Sequence, residues 1–191
     1  MKKQNVFLIM LLAIFLYFGA FNTKDDTYQK IMDAAPAREQ QFIGIVDGFV
    51  KETKSANNDM QIAALKTKRV STICHFFRGN LKVSGWSGKV IDLNSNNDGK
   101  GVIVISLTKD IRIRTWNNAF SDSGDDTLIN QGTVLFEKAL SLKKGQLVSF
   151  SGSFIPDRDE CVREVSVTQN GSMEDPEFLF RFSDISSLAS H

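Results

Sequence analysis

The sequence predicts an α+β protein in which helices come first and a β-rich domain follows. Three observations carry that expectation. Apolar residues between positions 38 and 77 recur at helical spacing. From about residue 81 the chain changes to short β-branched or alternating runs. Clusters of Asn, Asp and Gly, which tolerate left-handed backbone, punctuate those runs. A chain of 191 residues suffices for one domain with its own core and a helical accessory.

The helical part divides at its breakers. Asp25-Asp26-Thr27 offers an N-cap for a short helix that Pro36 ends. Phe42, Ile43, Ile45, Val46, Phe49 and Val50 then fall close to i, i+3, i+4, i+7 and predict a helix to about Lys54. Ser55-Ala56-Asn57-Asn58 breaks it, and Asp59 is expected to cap the next. Ile62, Leu65, Ile73 and Phe76 or Phe77 share one face there, and Arg78-Gly79-Asn80 closes the helix. An antiparallel hairpin packed on the following domain is the expectation. The alternative is a stalk or an oligomerisation helix near a membrane.

Ahead of these helices stands a targeting signal. Lys2 and Lys3 precede an uninterrupted apolar or small run from Val6 to Phe21. As a helix that run covers about 24 Å, short for a relaxed span of about 20 residues and long for a signal-peptide core. Neither candidate cleavage position is good: cutting after Ala20 leaves Phe18 at −3, and cutting after Asn22 leaves Asn at −1. An uncleaved signal anchor over residues 1–23 is therefore expected, with a removed signal peptide as the alternative. The two lysines place the N-terminus inside and the rest in the periplasm by the positive-inside rule. The expected organisation is residues 1–23 as anchor or signal, 24–80 as helical segment and 81–191 as β-domain.

Within 81–191 the strands are legible one by one. Trp86 to Leu93 is the first, ended by Asn94-Ser-Asn-Asn-Asp-Gly99. Gly101 to Leu107, almost wholly apolar, reads as a central strand. Asp110 to Trp116 alternates strictly, Ile111 and Ile113 on one face and Arg112 and Arg114 on the other. A polar stretch, 117–131, leads to a short helix from Thr133 to Leu140. Lys143-Lys144-Gly145 turns into a strand over 146–154. Val162 to Thr168 is expected as the fifth strand and Phe178 to Phe182 as the sixth.

Three strands, a helix and two strands is the order of the OB barrel. The full expectation is thus an N-terminal membrane helix and helical hairpin followed by an OB-like, five- to six-stranded β-barrel. Residues 84–185 also resemble an uncharacterised family of small bacterial membrane-anchored envelope proteins with an OB-like, tRNA-anticodon-binding-like domain. The stretches that carry the resemblance are Gly85-Trp-Ser-Gly88, Asn97-Asp-Gly-Lys-Gly101, Thr115-Trp-Asn-Asn118 with Ser121-Asp122, Phe150-Ser-Gly152, and Gly171-Ser-Met with Phe178-Leu-Phe-Arg-Phe182. The resemblance implies a fold and a location and carries no activity.

The chemistry that can be written on this chain is limited. Zinc needs about four suitably spaced ligands, and the candidates are Cys74, Cys161, His75 and the terminal His191. A Ser-His-Asp or Cys-His device would have to use His75, and no G-x-S-x-G elbow is present. Asp122-Ser-Gly-Asp-Asp126 lacks the spacing and closing Glu of a calcium loop. No catalytic residue, metal or cofactor is therefore expected. Residues 81–191 hold twelve basic and fifteen acidic side chains, a balance that counts against phosphate binding. Two cysteines in an exported chain are expected to pair, tying the end of the second long helix to the start of strand five through Cys74 and Cys161.

The expected function is that of a non-enzymatic, membrane-anchored periplasmic module binding a protein or envelope component. The alternative is an OB-type single-stranded nucleic-acid binder, for which Arg112, Arg114 and Trp116 would supply a fragment of the surface. In either case the expected site is the exit of the third strand: Arg112, Arg114, Trp116, Asn117 and Asn118, with Ser121 and Asp122 opposite.

Overall fold

The computed structural model describes residues 26–188. The apolar run 6–21 expected to meet the inner membrane, Asp25 and His191 lie outside that range. Among the described residues no helix is long and apolar enough to cross a membrane.

Three helices lead: α1 (Thr27–Ala34), α2 (Ala37–Lys54) and α3 (Asp59–Phe77). Pro36 separates the first two in extended backbone and serves as the N-cap position of α2, as its fixed φ and missing N–H favour. The cap of α3 is Asn58 rather than Asp59: its side chain accepts the Gln61 N–H. Asn58 sits in extended backbone, where an N-cap must be, while Asp59 is already helical. Asp26 occupies the cap position of α1 but makes no side-chain cap bond.

The barrel strands are β1 (Lys82–Ser95), β2 (Gly101–Ser106), β3 (Arg112–Arg114) and β4 (Leu147–Phe154), with helix α4 (Val134–Leu140) between the last two. After β4 come a two-residue ribbon, β5 (Pro156–Asp157) with β6 (Cys161–Val162), a short helix α5 (Gln169–Glu174), and the final strand β7 (Glu177–Ser187). The closed order is β1-β2-β3-β7-β4. Only β3 and β7 run parallel; the other barrel pairs are antiparallel. This α+β architecture with a five-stranded barrel agrees with the OB-like expectation.

Two differences have physical causes. The first strand starts at Lys82, earlier than Trp86, and absorbs one extra residue between Val83 and Trp86. Gly85 supplies the positive φ of +66° that this bulge uses. The stretch expected as strand five, Val162 to Thr168, is not a barrel strand. The barrel closes without it, and only Cys161–Val162 pairs regularly, with Asp157 and Pro156. Beyond them the backbone bonds β7 in a broken pattern: the Val165 N–H donates to the Glu177 carbonyl and the Leu179 N–H to Arg163. Three valines favour a strand by propensity, but tertiary context overrides them, and Val167 is fully exposed.

Helices and barrel share one core. Phe42 of α2 is fully buried, and its ring centroid lies 5.4 Å from Trp86, 5.2 Å from Phe154 and 5.4 Å from Phe178. Phe77 of α3 stands 5.0 Å from Phe154. Each such ring contributes roughly 1.5–3 kcal/mol by leaving water, so α2 and α3 complete the barrel core as well as resting on it. Arg69 ties α3 to α5: it is 1% exposed, and its Nη1 donates to the Ser172 carbonyl at 2.6 Å. Burial holds its pKa below the ordinary value, against the nearby charges of Glu164 and Glu160.

Cys74 and Cys161 form a disulfide with Cα atoms 5.5 Å apart, as expected from the sequence. It joins the last turn of α3 to the β5–β6 ribbon.

Candidate binding loop

The segment between β3 and α4 carries most of the expected site. β3 itself ends at Arg114, so Trp116 follows the strand instead of continuing its face. Ile111 and Ile113 are buried and Arg112 and Arg114 half-buried, which keeps the expected alternation. Both guanidinium groups, however, are paired. Arg112 Nη1 reaches Asp175 at 2.7 Å and Glu177 at 3.2 Å, and Arg114 Nη1 reaches Glu177 at 2.6 Å. Burial alone would lower the Arg112 pKa; the hydrogen bond and charge of Asp175, with Glu177, outweigh it and hold the pKa above its ordinary value. The parallel register places Arg112 opposite Glu177 and Arg114 opposite Leu179, which explains why one glutamate serves both.

Beyond β3 the loop has a fixed base and a free tip. At the base, the Trp116 backbone N–H donates to Thr127 Oγ1 at 2.8 Å, and its indole Nε1–H donates to Asp125 Oδ2 at 2.9 Å. Arg163 Nη1 donates to the same Asp125 oxygen. Asp122 is buried and accepts from the Thr127 N–H at 2.7 Å, the Thr127 hydroxyl at 2.6 Å and the Leu128 N–H at 3.2 Å. From β7, Arg181 Nε donates to the Asp125 carbonyl at 3.0 Å. Gly124 and Asp126 take the left-handed backbone that folds the loop onto this network.

At the tip, Asn118 Oδ1 accepts the Ser121 N–H at 2.8 Å, while its amide nitrogen donates to Asn117 Oδ1 and Ser121 Oγ. These bonds make a small polar turn. It presents Phe120, which is 94% exposed. The structure therefore splits the expected site residues into three groups. Arg112 and Arg114 sit in an ion-pair cluster, Trp116 and Asp122 in the loop base, and Asn117, Asn118 and Ser121 at the tip.

Sequence reasoning missed Phe120, Asp125, Arg163 and Arg181. Phe120 was detectable: a large apolar residue between Ala119 and Ser121, inside a stretch otherwise given to Asn, Asp, Ser and Gly, has no local packing role. Asp125 was visible only as a turn former. Its partners Arg163 and Arg181 lie 38 and 56 residues away, beyond any local pattern.

Asp125→Ala leaves the Trp116 indole N–H and one Arg163 donor without an acceptor. Bonds to a charged group contribute about 1.5–3 kcal/mol, so urea unfolding should show a loss of about 2 kcal/mol, with the tryptophan emission shifted in the native baseline. A loss under about 0.5 kcal/mol would mean that the loop base is held by Asp122 alone.

Among the described residues, no group of three or more His, Cys, Asp or Glu side chains could hold a metal ion. No family model matches this chain, and no curated protein matches it.

Proposed function

We propose that the chain is a non-enzymatic binding module, anchored in the inner membrane through residues 6–21, with its OB-like barrel in the periplasm. It recognises a protein or envelope component through the tip of the loop after β3. The observation that carries this reading is an almost fully exposed Phe120 on a turn whose base is held by Asp122, Asp125, Arg163 and Arg181. A large apolar side chain presented from a pre-ordered loop binds without the entropic cost of ordering that loop. Asn117, Asn118 and Ser121 supply donors and acceptors around it, the combination of apolar anchor and polar rim that protein interfaces use. The Cys74–Cys161 bridge supports an oxidising compartment. The resemblance to small anchored envelope proteins supports the same location.

The rival reading, a cytoplasmic single-strand binder, loses support from the ion pairs at Arg112 and Arg114. A groove that follows a phosphate backbone needs cations free to meet it. A C-terminal alkaline phosphatase fusion separates the two readings, active for a periplasmic barrel and silent for a cytoplasmic one.

The surface itself is tested by Phe120→Ala combined with Asn118→Ala, introduced into the full-length chain. Exposed substitutions of this kind change stability by about 0.5 kcal/mol or less. The melting temperature should hold while specific partners captured from detergent-solubilised membranes disappear. Capture that persists per folded molecule places recognition elsewhere.

A further inference from the structure

The antiparallel pair α2 and α3 buries Phe42, Val46, Ile73 and Phe77 in the shared core and carries two open hollows along its length. The hollows, of about 640 and 620 Å³, lie toward the two ends of the pair. Of the α2 residues that line them, Arg38, Gln41, Ile45 and Glu52 keep to one face at steps of three, four and seven, with Lys51 beside Glu52 and the C-cap Ser55 continuing the stripe. Gln61, Leu65, Lys68, Thr72 and Phe76 do the same on α3. Gly48 falls midway along the α2 stripe, and a Cβ built there would meet nothing within 4 Å. Joined across the open space at Gly48, the two hollows would make one groove as long as the 18-residue α2, about 27 Å, with Ile45, Leu65 and Phe76 among its lining.

Charge on this groove is one-sided. Arg38, Lys68 and Arg78 line it without a carboxylate partner among the described residues, and Glu52 is the one acidic residue of the lining. Lys51 also lines it but is paired with Asp47 at 2.6 Å. Arg38 is held in place by donating to the carbonyls of Asn80 and Lys82, so its charge is positioned before anything binds. His75 stands beside Arg78, 3.4 Å from its Nη2.

We propose that this groove docks an amphipathic helix of a partner protein whose apolar stripe is flanked by Asp and Glu, turning the α2–α3 pair into a three-helix bundle. A groove between antiparallel helices, lined by Ile45, Leu65 and Phe76, takes a third helix by ridges-into-grooves packing. The cationic rim selects the acidic one. The chain's own apolar segment 6–21 is the wrong occupant, since Lys2 and Lys3 bring it further positive charge. The groove is a different surface from the loop after β3, and Phe120→Ala should leave its binding unchanged.

The test uses the full-length chain in mild detergent and two synthetic helices of about 18 residues, the length of α2. Both carry Leu at i, i+3, i+4 and i+7; one has Glu at the flanking positions and the other Lys. Fluorescence anisotropy should show the Glu peptide bound at least tenfold more tightly than the Lys peptide, with affinity falling as salt is raised. Gly48→Leu fills the open space at the middle of the groove and favours helix. It should keep or raise the melting temperature while weakening the Glu peptide at least tenfold. Lys68→Glu with Arg78→Glu should reverse the preference toward the Lys peptide, which a merely misfolded variant would not do. Equal binding of both peptides, or undiminished binding by a folded Gly48→Leu variant, overturns the proposal. So does failure of the Glu peptide to bind while phosphatidylglycerol vesicles do, or Glu-peptide binding that emerges only when residues 1–23 are removed.

Discussion

Replacing Cys74 and Cys161 together by Ser should lower the melting temperature by roughly 10–15 °C. The bridge closes a span of 87 residues, for which the chain-entropy relation gives about 4–5 kcal/mol through restriction of the unfolded chain. Its position matters as much as its span. It pins the last turn of α3 to the β5–β6 ribbon, and two residues beyond Cys161 lies Arg163, which holds Asp125 at the base of the binding loop. Loss of the bridge should therefore also raise protease sensitivity between residues 155 and 176, in the native state and before global unfolding. Thiol labelling of denatured, unreduced chain should find no reactive cysteine. A double-serine variant that melts within about 3 °C of the parent would remove the bridge from the account of stability.

The second large effect concerns pH. Glu39, in the first turn of α2, is fully buried against β1. Its Oε2 accepts the Ser87 N–H at 2.8 Å, whereas Oε1 and the neighbouring Ser87 Oγ have no partner. Burial raises its pKa from 4.5 to about 8, with the Ser87 bond pulling weakly the other way. The folded protein thus holds this proton where the unfolded chain has released it. Its contribution to stability is complete below pH 4.5 and is lost as pH rises through 8. The loss across that window should be on the order of 4 kcal/mol. Glu39→Gln keeps the shape and an oxygen for Ser87 but has nothing to titrate. Urea unfolding at pH 5 and pH 8.5 should give a parent that weakens by several kcal/mol more than the variant. Parallel pH profiles for the two would show that Glu39 is not the titrating group.

Much of the fold was legible because its determinants are local. The breakers Pro36 and Ser55–Asn58 mark helix ends, Asn94–Gly99 marks the hairpin between β1 and β2, and Thr133 caps α4 through the Phe136 N–H. The apolar face of α2 named Phe42, Val46, Phe49 and Val50, all buried. What escaped depends on partners far away in sequence. Val162 to Thr168 has strand propensity and no free barrel edge to join. Arg112 and Arg114 look like an exposed basic face until register brings Glu177 beside them. Trp116 reads as a plate for a ligand, yet its indole N–H is spent on Asp125. Glu39 sits in a helix first turn, where an acid is ordinary; nothing local reveals that β1 covers it.

The position of β7 in the barrel has a consequence for how this protein is made. One strand supplies both the parallel neighbour of β3 and the antiparallel neighbour of β4, and it is the last strand among the described residues. A ribosome adding about 5–20 residues per second delivers Cys161 roughly 4–17 s after Cys74, and β7 only after that. Once β4 is made and until β7 arrives, β3 and β4 are open edges with unsatisfied backbone groups, and long-range pairings of this kind are slow to form. The barrel is therefore closed by β7, the latest of its strands to be made. A chain stalled or clipped before Glu177 would be an adhesive intermediate with two exposed strand edges instead of a smaller stable domain, and a cell making this protein has reason to shield it until the last strand arrives.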